Sequence, residues 1–475
     1  MNSYKKLAAN SFIFAAGTLG SKVIAFLLVP LYTYYLSTSE FGTVDITITT
    51  ANLLIPIISL SMFEAVFRFA MDKKEDSDQV VTNALIIATL GFLLSGLFYP
   101  LVLRLNLFGD YFIYFYLILF IQIIERILAQ YARAIGRIKV FAINGILLSF
   151  LIGILNIVFL VIFEWGIAGY FFAYILATFI SVLYLTNKTD LIKSIKLEYL
   201  SKEHSRKLIL YSIPMIPNSL MWWLINASSR YFIIYFIDVS ANGLFAVASR
   251  IPSLINIINQ VFTQAWQLSA IEEFEKETAD TSGNSFQKDV FTFLHTFLFF
   301  GVSLILLVII PIFRFLLAPQ FFEAWQVVPF LLMGAVFSSF SSFLGTNYIV
   351  TKKTSGVFKT SLYGGLASLV LNISLIYLFG LIGAGISSMI SFYLMFLLRY
   401  YDTKEIGTLT IKWKKFYKTI LVLSLQIASL YLYESMWTQT ILGLVFLLIL
   451  IMVNRSVFSL LYKVMFRILR SNFRK

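Results

Sequence analysis

LNIVFLVIFEWGIAGYFFAYILATFISVLYLT, residues 155–186, contains one charged residue, Glu164. A bilayer is crossed by about 20 consecutive apolar residues in a helix. With the apolar residues from 140 onward, this stretch is long enough for two spans, 140–163 and 166–186, and too apolar for a water-exposed surface. The pattern returns at LNISLIYLFGLIGAGIS, residues 371–387. Both segments read Leu-Asn-Ile, an apolar run, then Gly-x-x-Gly, at Gly166/Gly169 and Gly380/Gly383, with two extra residues before the glycines in the first.

Outward from these two pairs, apolar stretches of spanning length fall at 7–36, 42–71, 80–104, 110–132, 140–163, 166–186, 208–237, 243–271, 290–317, 325–351, 358–379, 381–401, 415–433 and 437–454. The expectation is an all-α integral membrane protein of about fourteen spans. Composition agrees: 59% of residues are hydrophobic and 13% charged, against about 25% charged in soluble domains, and mean hydropathy is +0.85. The repeat places spans 5–6 against spans 11–12. A second echo, YLSTSEFG from Tyr35 and FIDVSANG from Phe236, joins the turns of spans 1–2 and 7–8. A unit of six spans returns the chain to its starting side. The two lobes then share orientation about an axis along the membrane normal. The domains expected are an N-terminal lobe 1–187, a linker 188–207, a C-terminal lobe 208–402, spans 13–14 within 403–455, and a basic tail 456–475.

Charge orients the spans. With the N-terminus in the cytoplasm, thirty of the 37 Lys and Arg fall on the cytoplasmic side, two (Arg104 and Arg314) outside, and five within spans. That is a positive-inside bias. It puts both termini in the cytoplasm and accounts for the net charge of +13 without nucleic acid. Lys5 and Lys6 precede an apolar run that continues to Leu36, which reads as an uncleaved first span. In the tail, Val457, Leu461, Val464, Met465 and Ile468 oppose Lys463, Arg467, Arg470 and Arg474. This pattern suits either an amphipathic helix on the inner leaflet or a plain topology anchor.

Charges inside spans cost several kcal/mol unless they face protein or water. Glu64 stands four residues before Arg68, and Glu125 beside Arg126, so both are expected as structural ion pairs. Lys22, Arg230 and Arg250 have no acidic residue within a helical turn. They read as lining a polar cavity, or as paired across helices with Asp45 or Asp238. Two stripes favour a cavity: Arg250, Ser253, Asn256, Gln260, Gln264 and Gln267 on span 8, and Asp45, Thr49, Asn52, Pro56 and Ser59 on span 2. Each recurs at three or four residues and so defines one helix face. With no cysteine, disulfides and thiolate metal sites are excluded. There is no P-loop motif. His204 and His295 have no second His or Cys nearby, so no metal or other cofactor is expected.

The opening NSFIFAAGTLGSKVIAFLLVPLYTYYLSTSEFG, with DITITTANLLIPIISLSMFEAVFRF after it, resembles the start of Wzx-type polysaccharide flippases. These belong to the multidrug/oligosaccharidyl-lipid/polysaccharide exporter superfamily. INASSRYFIIYFIDVSANGLFAVASRI resembles that family's span 7–8 hairpin. One departure is Ser229 before Arg230, where the family often has Asp, so a coupling role for that Asp does not transfer. The resemblance implies a non-enzymatic transporter in the bacterial plasma membrane. It implies a polyprenyl-diphosphate-linked oligosaccharide as cargo, moved to the outer leaflet by alternating access, with an ion gradient as a candidate driving force. Partners implied are membrane lipids and polysaccharide assembly proteins. Lys22, Arg230 and Arg250 would meet the diphosphate, with Asp45, Asn52, Asn256, Gln260 and Gln264 around the sugars. A peptidoglycan-precursor flippase would use the same cationic cavity. A multidrug exporter of cations should carry acidic cavity residues. A glycosyltransferase or polymerase should have a sizeable external loop, and the outer loops here are short.

Overall fold

Ser37 and Glu40 start one of the long helices by capping each other. The Ser37 hydroxyl accepts from the Glu40 backbone N–H at 3.2 Å, and the Glu40 carboxylate accepts from the Ser37 N–H at 2.8 Å. Free N–H groups at a helix start need such partners, most of all in a bilayer. In this computed structural model the described residues are 19–72, 74–98, 109–277, 284–350, 355–404 and 409–455. They are helical almost throughout, with no strand among them. The basic tail, read as an amphipathic helix or a topology anchor, lies outside the described residues, as does the chain before residue 19.

The chain divides into two compact units, Met1–Ala246 and Val247–Lys475. The first contains α1 (Leu19–Tyr35), α2 (Thr38–Ile58), α3 (Met62–Ala70), α4 (Ser77–Ser95), α5 (Phe112–Ala134), α6 (Ile138–Asn156), α7 (Gly166–Thr189), α8 (Lys202–Ser212) and α9 (Met215–Phe236). It also holds the start of α10 (Val239–Ala248). The second contains α11 (Arg250–Glu277), α12 (Asn284–Phe315), α13 (Val328–Val350), α14 (Ser355–Asp402), α15 (Trp413–Leu432) and α16 (Met436–Val453). Among the described residues, nine helices are long and apolar enough to cross a membrane, or up to eleven if each of two bent pairs is one span.

Span 2 is not one helix. After α2 the chain passes through Leu60 and Ser61 at φ 48° and 53° before α3 begins. Left-handed backbone at non-glycine residues is uncommon and persists only where surroundings hold it. Here Ser61 N–H donates to the Pro56 carbonyl at 2.8 Å, and its hydroxyl is buried. α5 packs against both α2 and α3, across this break.

The repeated motifs form matching turns. Gly166 and Gly380 both have positive φ, 54° and 59°, a conformation that glycine adopts freely. A side chain on Gly169 would strike the Phe159 carbonyl, and one on Gly383 the Leu375 carbonyl. Phe159 and Leu375 are each the fifth residue of their Leu-Asn-Ile segment. In the first copy a π-helical turn, Ile157–Ile162, and left-handed Glu164 take up the two extra residues. Gly380 also divides the 48 residues of α14. At 1.5 Å per residue, α14 would otherwise run about 70 Å, twice a bilayer core.

The other echo is a contact. Asp238 caps α10 by accepting from Ala241 N–H at 2.6 Å, the role Ser37 has for α2. The two helix starts then meet through the final glycines of the echoed segments. A Cβ on Gly42 would overlap the Val239 carbonyl, and one on Gly243 the Thr38 carbonyl. Asn242 donates to the Gly42 carbonyl at 3.0 Å. Because the obstacle is backbone, Gly243→Ala is expected to destabilise the purified protein by about 1–3 kcal/mol. Gly145→Ala, where nothing lies within 4 Å, should be neutral or stabilising. Comparing the two in thermal unfolding checks this.

A charged clasp holds the α3–α4 turn to α8. Glu75 accepts from Lys207, and His204 Nε2 lies 3.1 Å from its other oxygen. The Lys207 contact, then His204, holds the Glu75 carboxyl below the ordinary carboxylate value. A depressed carboxylate stabilises the fold above its unfolded value, and that contribution is lost as pH falls through the folded one. The melting temperature of the protein should therefore exceed that of Glu75→Gln at neutral pH, and the gap should close in acid below the ordinary value of 4.5.

In the second unit 83% of the apolar stretch of α13 is buried, more than in α12, α14 or α16. Phe340 and Phe343 of α13 pack with Phe291 of α12, Phe396 of α14 and Phe416 of α15. α15 and the end of α16 attach to α12 by amides: Ser303 donates to Gln426 at 2.7 Å, and Thr296 donates to Asn454 Oδ1 at 3.4 Å.

Candidate functional site

Helix α2 has one polar face, and two other helices each deliver an arginine to it. Arg230 of α9 donates Nε to Asp45 at 2.6 Å, and the two side chains are 14% and 10% exposed. Its Nη1 also donates to the Asn226 carbonyl at 3.2 Å, and its guanidinium lies 5.6 Å from the Phe245 ring centroid. α9 is further fixed to α2 by Trp223 Nε1, which donates to the Thr49 carbonyl at 3.0 Å, and by Thr50 and Tyr231, whose hydroxyls are 2.6 Å apart. Two turns along α2, Asn52 accepts a hydrogen bond from Arg126 of α5. Behind it Gln122 donates to the Tyr174 hydroxyl at 2.9 Å.

Arg230 therefore has an acidic partner, supplied by another helix, which its own helix lacks. Of the two arrangements expected for Arg230, cavity cation or cross-helix pair, the pair is present. Lys22 is exposed on α1 and is also engaged in an interaction. The two expected structural ion pairs need correction. Among the described residues neither Glu64 with Arg68 nor Glu125 with Arg126 forms one. Arg68 is exposed on α3, and Glu64 is influenced instead by Arg133 of α5. Glu125 accepts from Asn144 Nδ2 at 2.8 Å, and Asn144 accepts from Ser181 at 2.7 Å. Adjacent residues on a helix point about 100° apart, so Arg126 turns to α2 while Glu125 turns to α6 and α7.

In the second unit α11 is two-faced. Ile251, Ile255 and Trp266 are buried, and Trp266 stacks on Phe343 of α13 at 4.5 Å. On the opposite face Asn256 and Gln260 are exposed, with Ser253 in line and Arg250 half-buried at the helix start. Within this unit and among the described residues, Arg250 makes no ion pair. Gln264 continues the helix, and its side chain lies outside the described residues.

One buried cation was missed by sequence reading. Arg399 reads as the end of a span next to a cytoplasmic loop, but it is 3% exposed. It donates to Ser341 O at 2.8 Å, Ser361 Oγ at 3.0 Å and Thr360 Oγ1 at 3.1 Å. Serines and threonines scattered over two helices give no local signal for such a site.

The family model described as polysaccharide biosynthesis protein matches residues 7–267. No curated protein matches the sequence. Among solved structures, a lipid II flippase MurJ in an inward closed conformation is similar at TM-score 0.72 and 15% identity, covering 96% of this chain and 100% of that one. An inward-facing multidrug resistance MATE family transporter of the MOP superfamily is similar at TM-score 0.64 and 15% identity, covering 81% and 95%. The Vibrio cholerae MATE transporter VcmN, as a point mutant, is similar at TM-score 0.58 and 14% identity, covering 85% and 99%. These likenesses establish the fold. Matched to the family model over more than half its length, the chain belongs to the polysaccharide biosynthesis protein family.

Proposed function

We propose that this protein is a flippase that carries a polyprenyl-diphosphate-linked oligosaccharide from the inner to the outer leaflet of the bacterial plasma membrane by alternating access. The observation that carries the reading is the polar face of α2, where Arg230 and Arg126 stand among amides and hydroxyls inside membrane-length helices. Guanidinium groups bind phosphate oxygens through a planar fork. Asn, Gln and aromatic side chains suit sugars. The exposed Asn256 and Gln260 of α11, with Arg250, supply the same chemistry on the second unit. Lys22, Asp45, Asn52 and Gln264 belong to the same substrate-contacting set. Fourteen spans, two six-helix lobes, cytoplasmic termini and coupling to an ion gradient complete the proposal, with the thirty-to-two charge bias supporting the orientation.

The family match supports a cell-surface polysaccharide unit as cargo. A peptidoglycan precursor is the second reading, favoured by the likeness to a lipid II flippase. A cationic drug fits poorly, because the charges within the spans are net basic. Cells depleted of the protein should accumulate lipid-linked oligosaccharide on the cytoplasmic face. Unchanged export on depletion would exclude the role. Accumulation of the peptidoglycan precursor alone would select the second reading.

A further inference from the structure

At the lysine-rich end of the second unit, α12 and α15 enclose a cavity of about 410 Å³. Lys288 lines it from α12, and Lys412 and Lys415 from the start of α15. An adjoining cavity of about 480 Å³ shares Lys412 and Lys415 and adds Lys414 and Lys418. Among the described residues none of these five lysines forms an ion pair, although Asp289 also lines the first cavity. Gathering five like charges around a single carboxylate is unfavourable unless a further anion joins them.

A second observation is independent of the lysines. His295, one turn below Phe291 on α12, lines the same cavity and is 5% exposed. Its Nε2 has no hydrogen-bond partner. Buried polar atoms are nearly always paired, so one left over calls for an explanation. The ring is held in place by Phe299, 4.9 Å away edge-on, and Phe416, 5.3 Å away. Phe291 and Phe416 make the wall below the lysines apolar.

We propose that this cavity binds the phosphate of an anionic glycerophospholipid headgroup, with Lys288, Lys412 and Lys415 as cationic contacts and His295 as a polar contact deeper in. The phosphate chemistry alone would also suit a soluble phosphate. The apolar wall and the place at the ends of two apolar helices favour an amphiphile at the membrane interface. Basic pockets between membrane helices bind headgroups in this way. The site shares no residue with the polar faces of α2 and α11.

The test uses the full-length protein in nanodiscs of phosphatidylcholine, with or without phosphatidylglycerol. Phosphatidylglycerol should raise the unfolding temperature of the unmodified protein, and native mass spectrometry should find it retained. Lys412→Gln/Lys415→Gln should match the unmodified protein in phosphatidylcholine, gain nothing from phosphatidylglycerol, and hold it on the order of thirtyfold more weakly, as expected for about 1 kcal/mol per lysine. Lys412→Arg/Lys415→Arg should keep the effect. If the glutamine pair fails to fold, Lys288→Gln on α12 takes its place. Equal stabilisation by the two lipids, or a phosphatidylglycerol effect that persists in the glutamine variants, would overturn the site. A full shift produced by inorganic phosphate in phosphatidylcholine alone would overturn the lipid as its occupant.

Discussion

Arg230→Gln should lower thermal stability by about 3 kcal/mol and reduce the protein recovered from membranes, because it leaves the Asp45 carboxylate nearly buried without its cation. Asp45→Asn strands the guanidinium in the same way. The double variant, Asp45→Asn with Arg230→Gln, should recover most of the loss, since two amides of similar shape can still hydrogen-bond. A double-mutant cycle reads the pair directly, with coupling on the order of 1–3 kcal/mol. Export then separates structure from substrate contact. A well-folded double variant lacks the charge proposed to meet the diphosphate, so its export should remain low. Full export by that variant would leave Arg230 a purely structural residue.

Arg250→Gln should behave oppositely: abundance close to normal, export down roughly tenfold or more. Within its unit Arg250 makes no ion pair, so no carboxylate there is stranded when its charge is removed. A hydrogen bond to a charged group contributes about 1.5–3 kcal/mol, which sets the size of the transport defect. Arg250→Lys keeps the charge and loses the fork, so partial export is expected. Arg250→Glu should abolish export. Quantifying protein per membrane alongside exported lipid-linked sugar checks all three. A Gln variant that exports normally would remove Arg250 from the substrate site.

The membrane class was legible because hydropathy is a sum over many residues, and the bilayer enforces it everywhere. The Gly-x-x-Gly turns were legible for a different reason. Gly166 and Gly380 take a backbone conformation that glycine adopts freely, and Gly169 and Gly383 leave room for a carbonyl. Ion pairing was not legible. Local spacing suggested Glu64 with Arg68 and Glu125 with Arg126, yet the arginine contacts seen on α2 come from α5 and α9. In Arg230's case the partner is 185 residues away. Helix rotation chooses such partners, and one sequence does not reveal it. The break between α2 and α3 had only Pro56 as a hint, and its left-handed residues are Leu60 and Ser61, which carry no turn signature. Arg399 was hidden because its acceptors are neutral hydroxyls and a carbonyl.

Purified protein reconstituted into vesicles gives the most direct measurement of the proposed activity. A polyprenyl-diphosphate oligosaccharide is placed in both leaflets, and an added glycosidase trims only what reaches the outside. A flippase should let the enzyme trim nearly all of the pool, whereas protein-free vesicles should stop near half and vesicles with the Arg250→Gln variant should trim the second half roughly tenfold more slowly. Trimming that stops at half with the unmodified, folded protein, with or without an ion gradient, would contradict lipid-linked oligosaccharide flipping by this chain.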